Sequence, residues 1–375
     1  IEGRAVRFVG RAEQCPVRKP DHVVDAGGLY LSPGLIDMHI HGVLGSVVDA
    51  GPEALAEICR ILPRYGVTSF LPTVLPRPAG EDADYVASLA AVAYRDMKAE
   101  VAPGTEVLGF HLEGPFIALT GAISPACLGS PTRQRVETLK QAASGLLTVF
   151  SVSPDLAGVI ELIPVMGKPV FTTHTKATVK EMQAGIDAGI THATHFYDVF
   201  PCPPEDDPGK RPCGAVEAIL ADPRVSVDFI LDGEHVDPIA VKVALQCKGP
   251  DKVCLITDAN VGAGLPPGIY EGLGGEEIEI AYPGGPARMT KRGKVPGGLT
   301  GSGLTLNLAV KNAYTMLGVD IPQAFAMASL NPARVLGRAD RKGKIAPGYD
   351  ADLILVDREF NVKATWVRGD RVFYS

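Results

Sequence analysis

The sequence has no C-x-x-C pair, no apolar run long enough to span a bilayer and no excess of basic residues. The missing cysteine pairs, with an odd total of seven cysteines, argue against a disulfide framework and against a thiolate zinc site. A reduced, cytoplasmic setting is therefore the expectation. Without a long apolar run or a signal-peptide pattern there is no predicted membrane span or secretion route. A formal net charge of -7 lacks the basic footprint of a nucleic-acid binder. It leaves small anionic substrates open, because a pocket's local field can oppose the overall charge. The chain also opens without methionine, from which an incomplete N-terminus is expected. Ile1-Glu2-Gly3-Arg4 resembles a protease-site scar but reads better as a hairpin turn ahead of a strand at Arg4 to Val9.

What is present is a soluble-protein balance of 46% hydrophobic and 21% charged residues over 375 positions. That is enough for a large core. From Leu35 onward, short apolar runs alternate with amphipathic helical stretches. The runs are Leu35 to His41, Val67 to Val74, Val107 to Leu112, Leu146 to Val152, Pro169 to His174, Ile190 to Phe196, Val225 to Leu231 and Val253 to Thr257. Helical patterns fall between them at Pro52 to Tyr65, Asp84 to Ala99 and Thr178 to Ala188, the last stopped by Gly189. Eight such units predict an α/β fold, a (β/α)8 TIM barrel spanning 33–337. Segments 1–32 and 338–375 are short and alternating, and are expected to pair into a small β-sandwich domain built from both termini. A Gly- and Pro-rich stretch at 265–298 reads as a β-hairpin insertion on the rim, placed to act as a flap.

The rare polar residues fall at the predicted strand ends. His39, His41, Glu113, His174, His195 and Asp258 each close an apolar run, and barrel active sites form on that face. In H-x-H, His39 and His41 share one face of their strand. They are either two ligands or two barrel histidines bonded to backbone carbonyls. Glu113 ends an apolar strand, where a buried carboxylate is costly without a cation or donor. A metal ion supplies that cation; an ion pair is the alternative, with few basic residues nearby. His111 is expected to support or pack rather than ligate. His192 and His195 lie three apart, so only one is expected to point inward, and His195, nearer the strand end, is the choice. Imidazoles with one or two carboxylates suit zinc, one or two ions, and less distinctively iron (Fe2+), manganese or another divalent metal. Such an ion lowers the pKa of its water and polarises a carbonyl. Asp258 is then placed to move the water proton to a leaving amine.

Taken together, Pro33 to Gly42, His111 to Phe116, Thr194-His195-Phe196-Tyr197, Asp232 to Asp237, Ile256 to Ala259, Leu299 to Leu306, Asn331 to Arg334 and Gly343 to Leu353 resemble the amidohydrolase superfamily, and within it the N-acetylglucosamine-6-phosphate deacetylases. The resemblance implies a principal metal on Glu113, His174 and His195. It also implies a second site completed by His39 and His41 with Asp258, a substrate contact from His235, and a homodimer. An N-acetylated amino sugar, phosphorylated at the 6 position, is the implied substrate; another N-acyl or cyclic amide is the alternative, and a non-catalytic barrel a third. Three departures bear on the substrate, the first on a sugar contact and the other two on the phosphate. Gly121-Ala122-Ile123 replaces a Gly-Ala-His, Asp198 stands where an asparagine is usual, and Lys210-Arg211-Pro212-Cys213-Gly214 only loosely matches Arg-Glu-Pro-Gly. Arg211 is either a phosphate contact across a dimer interface or a solvated loop residue.

Overall fold

A computed structural model describes residues 1–16, 22–125, 128–205 and 207–375. After β1 (Tyr30–Pro33) come eight barrel strands: β2 (Leu35–Ile40), β3 (Val67–Val74), β4 (Gly109–Glu113), β5 (Leu147–Val152), β6 (Val170–Thr172), β7 (Ile190–Ala193), β8 (Ser226–Ile230) and β9 (Val253–Ile256). They pair in parallel in sequence order. The seam closes where Ile40 bridges Ala259, with the Asp258 amide donating to the His39 carbonyl at 2.8 Å and the His41 amide donating to the Ala259 carbonyl at 3.0 Å. The fold is thus a (β/α)8 barrel. Each barrel strand of the sequence reading is present, with its ends moved by a few residues at most. The run at Val107 is broken: Glu106–Val107 pairs with β3, and β4 starts afresh at Gly109. A Cβ on Gly109 would stand 2.1 Å from the Leu147 carbonyl oxygen. The chain can therefore turn into β4 only at glycine.

The predicted helices form where their caps allow. Thr178 and Glu181 make a capping box at the start of Val179–Ala188, and Gly189 ends that helix at φ 133°. These are the expected start and stop devices of a helix. Helix Glu81–Lys98 opens on three acids and ends with Arg95 and Lys98, matching the helix dipole. Strand β2 is buried along its whole length, as a barrel covered by helices requires.

Two antiparallel sheets flank the barrel. The insertion is more than a hairpin. It forms four strands, β10 (Gly268–Glu271), β11 (Glu277–Ile280), β12 (Pro286–Met289) and β13 (Leu299–Ser302), paired in sequence order around Ile278, Ile280 and Ala287. The second sheet joins β1 to β14 (Leu353–Val356), β15 (Val362–Val367) and β16 (Asp370–Tyr374), forming a small β-domain from both ends of the chain. The expected N-terminal strand at Arg4 to Val9 is reduced to a bridge between Ala5 and Asp350, flanked by hydrogen bonds between Val6 and the 348–349 turn. Among the described residues His22 to Val24 joins no sheet, and Val23 is 80% exposed. The six described cysteines are free thiols, and Cys127 lies outside the described residues. Among the described residues no helix is long and apolar enough to cross a membrane.

Candidate metal centre

The C-terminal ends of the barrel strands bring His39, His41, Glu113, His174, His195 and Asp258 into one buried cluster. Strand geometry stops where these side chains must turn inward. His174, His195 and Asp258 have φ of 51°, 36° and 46°. This is the left-handed region that ordinary side chains avoid. Such strain persists only where surrounding contacts hold it, and here it sits at three of the five strand ends that carry the cluster.

Glu113 lies between two groups. Its Oε1 is 3.1 Å from His195 Nε2 and 3.3 Å from His174 Nε2. Its Oε2 is 3.3 Å from His41 Nε2 and 3.6 Å from His39 Nε2. Asp258 Oδ1 closes the second group at 3.2 Å from His41 Nε2 and 3.4 Å from His39 Nε2. The far nitrogens of three rings are already engaged. His174 Nδ1 donates to the Leu119 carbonyl at 2.8 Å, His195 Nδ1 to the Asp198 carbonyl at 3.3 Å, and His39 Nδ1 meets Thr194 Oγ1 at 3.0 Å. That fixes the rings with Nε2 turned to the centre, the arrangement expected of imidazole ligands.

Charge points the same way. Burial alone would raise Glu113, but His39 and hydrogen bonds from His174 and His195 hold it well below the usual carboxylate range. Burial likewise works against Asp258, whose pKa is lowered by His39 and His41. The carboxylates draw protons onto their neighbours in turn. His41 and His195 are pushed up to about 10 although burial opposes it, through Asp258 and Glu113 for the first and chiefly Glu113 for the second. Among the described residues neither acid has a Lys or Arg partner. Two buried carboxylates surrounded only by imidazoles therefore fit a divalent cation, with Glu113 able to serve both groups.

Beneath the cluster lies a polar layer that sequence reasoning largely missed. Asp37 accepts from the His39 amide at 3.2 Å and from Thr257 Oγ1 at 2.7 Å; burial pushes its pKa to about 7. Asp228 Oδ1 accepts from the His195 amide at 2.6 Å, and its Oδ2 meets His192 Nε2 at 2.7 Å. The expectation that His192 packs on the opposite face fails. Strand β7 ends at Ala193, the chain bends before His195, and both rings are buried in the interior. His111 does support the site, stacking edge-on to His39 at 4.5 Å between ring centroids and meeting Ser151 Oγ at 2.5 Å. A buried Asp two residues before His39, and another two residues into β8, were the available signals; neither reveals its partner without the fold.

The His235 side chain is buried on the loop after β8, 1% exposed. Its Nδ1 is 2.7 Å from Asp232 Oδ2, leaving Nε2 free. Burial lowers its pKa, but Asp232, with Asp198 and Asp258, leaves it raised. Asp198 lies in the loop after β7, between two residues that line an open groove of about 470 Å³, Tyr197 and Val199; Leu119, Thr120, Gly121 and Phe200 also line it. A Cβ on Gly121 would meet the His174 ring at 2.7 Å, so this groove runs up to the cluster. Arg211 is not gathered there. Its side chain is 83% exposed and touches Glu217 at 3.4 Å. Ile123 is buried in the loop after β4.

A parallel barrel with His and carboxylate side chains converging on its C-terminal rim defines a class, and the comparisons agree: the Amidohydrolase family matches residues 30–205 and 274–372, and the chain belongs to it. Within that family it belongs with the N-acetylglucosamine-6-phosphate deacetylases. It is 33% identical to the enzyme of that name from Vibrio furnissii over 93% of this chain and 84% of the relative. It is 32% identical to N-acetylgalactosamine-6-phosphate deacetylase from Escherichia coli O157:H7, over 93% and 89%. The crystal structure of N-acetyl-D-glucosamine-6-phosphate deacetylase from Mycobacterium smegmatis superposes with a TM-score of 0.85 at 27% identity, covering 100% of this chain and 94% of that one.

Proposed function

We propose that this protein removes the N-acetyl group from an amino sugar phosphorylated at the 6 position, N-acetylglucosamine-6-phosphate in the first instance, giving glucosamine-6-phosphate and acetate. The observation that carries the reading is the placement of Glu113 between His174 and His195 on one side and His39, His41 and Asp258 on the other. Glu113, His174 and His195 would hold the principal ion, and His39, His41 and Asp258 a second. Zinc suits this donor set, with Fe2+ or another divalent metal next. A cation bound there polarises the acyl carbonyl and acidifies water.

The chain's own groups do the rest. Asp258 accepts the proton of the attacking water as the new C–O bond forms. It returns that proton to the sugar nitrogen as the C–N bond breaks, so the amine leaves neutral. His235, oriented by Asp232, presents Nε2 to the developing oxyanion or an adjacent hydroxyl. Asp198 and Arg211 are proposed substrate contacts, Arg211 toward the phosphate of a neighbouring subunit in a homodimer. A cytoplasmic setting fits a sugar-phosphate substrate.

A second reading has one observation in its favour. The described groove next to His174 is lined by apolar and aromatic side chains, with Ile123 buried in the loop beside it and Arg211 exposed. That suits an N-acyl substrate without the phosphate. Acetate release from N-acetylglucosamine-6-phosphate, N-acetylgalactosamine-6-phosphate and unphosphorylated N-acetylglucosamine by zinc-loaded protein separates the two. Faster turnover of the unphosphorylated sugar overturns the first reading.

A further inference from the structure

The insertion sheet touches the site at two separate points. At one edge, β13 is hydrogen-bonded to the segment that carries Asp258. The Ser302 amide donates to the Asp258 carbonyl at 2.8 Å, Ser302 Oγ donates to the Thr257 carbonyl at 2.6 Å, and the Asn260 amide donates to the Ser302 carbonyl at 2.8 Å. Gly301 has φ 65°, and a Cβ there would stand 2.7 Å from the Asp258 carbonyl oxygen. So close an approach requires glycine. At the other point, the turn between β11 and β12 reaches the loop after β8. Tyr282 donates its hydroxyl hydrogen to Glu234 Oε1, and Arg288 Nη2 donates to Glu234 Oε2 at 2.7 Å. Arg288 Nη1 is itself held by the Gly297 carbonyl at 3.0 Å.

Glu234 is the residue before His235, and both amides donate to Asp232 Oδ1 at 2.9 Å. One carboxylate therefore organises the loop from inside, while the Glu234 side chain ties it to the sheet from outside. The ring of His235 is oriented by Asp232, so any shift of the Glu234 backbone moves the ring's anchor with it.

From these contacts we infer that the insertion sheet is a positioning device. It fixes the His235 loop relative to Asp258, and Tyr282 and Arg288 are its positioning residues, acting through Glu234. The inference rests on the proposed hydrolytic role of Asp258 and His235. Neither Tyr282 nor Arg288 touches the metal cluster, so their loss leaves the ligands intact and separates the substrate-facing histidine from the proton-carrying acid. A misplacement of an ångström at that distance is enough to slow a reaction markedly.

The test compares Tyr282→Phe/Arg288→Ala, Glu234→Ala and the triple variant in metal-loaded protein, on whichever N-acyl sugar the wild type turns over. The expected result is a fall in kcat of about tenfold with KM changed less than about twofold, the mark of an interaction felt in the transition state. Metal content should be unchanged. The triple variant should be no worse than Glu234→Ala, because all three residues act through one contact. Hydrogen exchange at the amides of 233–236 should quicken in each variant. Additive losses, or an unchanged kcat, overturn the inference. If the wild type hydrolyses no N-acyl sugar, the functional reading fails, and the exchange rates alone decide whether the sheet holds the loop. The milder Tyr282→Phe and Arg288→Lys variants keep the test informative if the double variant does not fold.

Discussion

Two carboxylate-bearing clusters in this fold, one partly and one fully buried, have similar spacing and opposite contents. Glu106, Asp350 and Asp352 place ligand atoms within 4.8 Å of one another, as do His39, His41 and Asp258, and His39, Glu113 and His195. In the first cluster Lys342 Nζ sits 2.7 Å from Glu106, 3.0 Å from Asp350 and 2.7 Å from Asp352, with the lysine side chain 3% exposed. The chain supplies that cation itself, and the cluster ties the terminal sheet to the barrel. The second cluster is given imidazoles in place of a lysine. A spacing of acids thus says little about metal binding; what stands among them decides whether the site is structural or open to an ion.

Four substitutions or conditions break or sharpen that contrast. Among the substitutions the largest effect is expected from Asp258→Asn, which keeps the volume but removes the proposed proton carrier: kcat should fall by roughly 10²–10⁴, read as acetate release at saturating substrate. Lys342→Met should remove the cation shared by Glu106, Asp350 and Asp352, of which Asp350 keeps Arg341 at 2.8 Å, and cost about 3–5 kcal/mol of stability. Urea unfolding checks it, and metal content per folded molecule should not change. Asp228→Asn loosens the His195 amide and the His192 ring, and should weaken metal affinity by about 10–100-fold, the usual range for a partner that orients a ligand. Competition with a chromogenic chelator measures it.

Per unit step, the smallest effect is that of pH. His41 and His195 are raised from 6.5 to about 10. In the metal-free fold their charged forms therefore stabilise the protein fully below the ordinary histidine value, and that stabilisation is lost as pH rises through the raised one. A cation competes for the same nitrogens, so its apparent affinity should increase over that window by about tenfold per pH unit for each proton displaced. Calorimetry in two buffers of different ionisation enthalpy counts the protons. Affinity independent of pH would place the ion away from these rings.

The barrel and its six converging residues are legible in the sequence because both are local signals. Apolar runs bounded by glycine and proline mark the strands, and a His or acid at the end of a run marks the rim. What stays hidden depends on partners distant in sequence. Nothing near Ile190 tells that β7 stops at Ala193 and brings His192 and His195 into one interior. Asp37 reads as one more polar residue until Thr257, 220 residues away, is seen to donate to it. The insertion reads as a hairpin because glycines and prolines obscure alternation, and its grip on Glu234 is made by side chains with no pattern of their own. At the N-terminus the error runs the other way: Arg4 to Val9 alternates well, but of these six residues only Ala5 forms a bridge.

The seam at Ile40 and Ala259 bears on the order in which the site is made. During synthesis, His39 and His41 emerge early, yet the residue that completes their group arrives more than two hundred positions later, and the β13 strand that braces it later still. Glu113, His174 and His195 lie on strands closer in sequence and can gather sooner. The two halves of the cluster are therefore completed unevenly, one gathered from strands near in sequence and the other only when the barrel shuts.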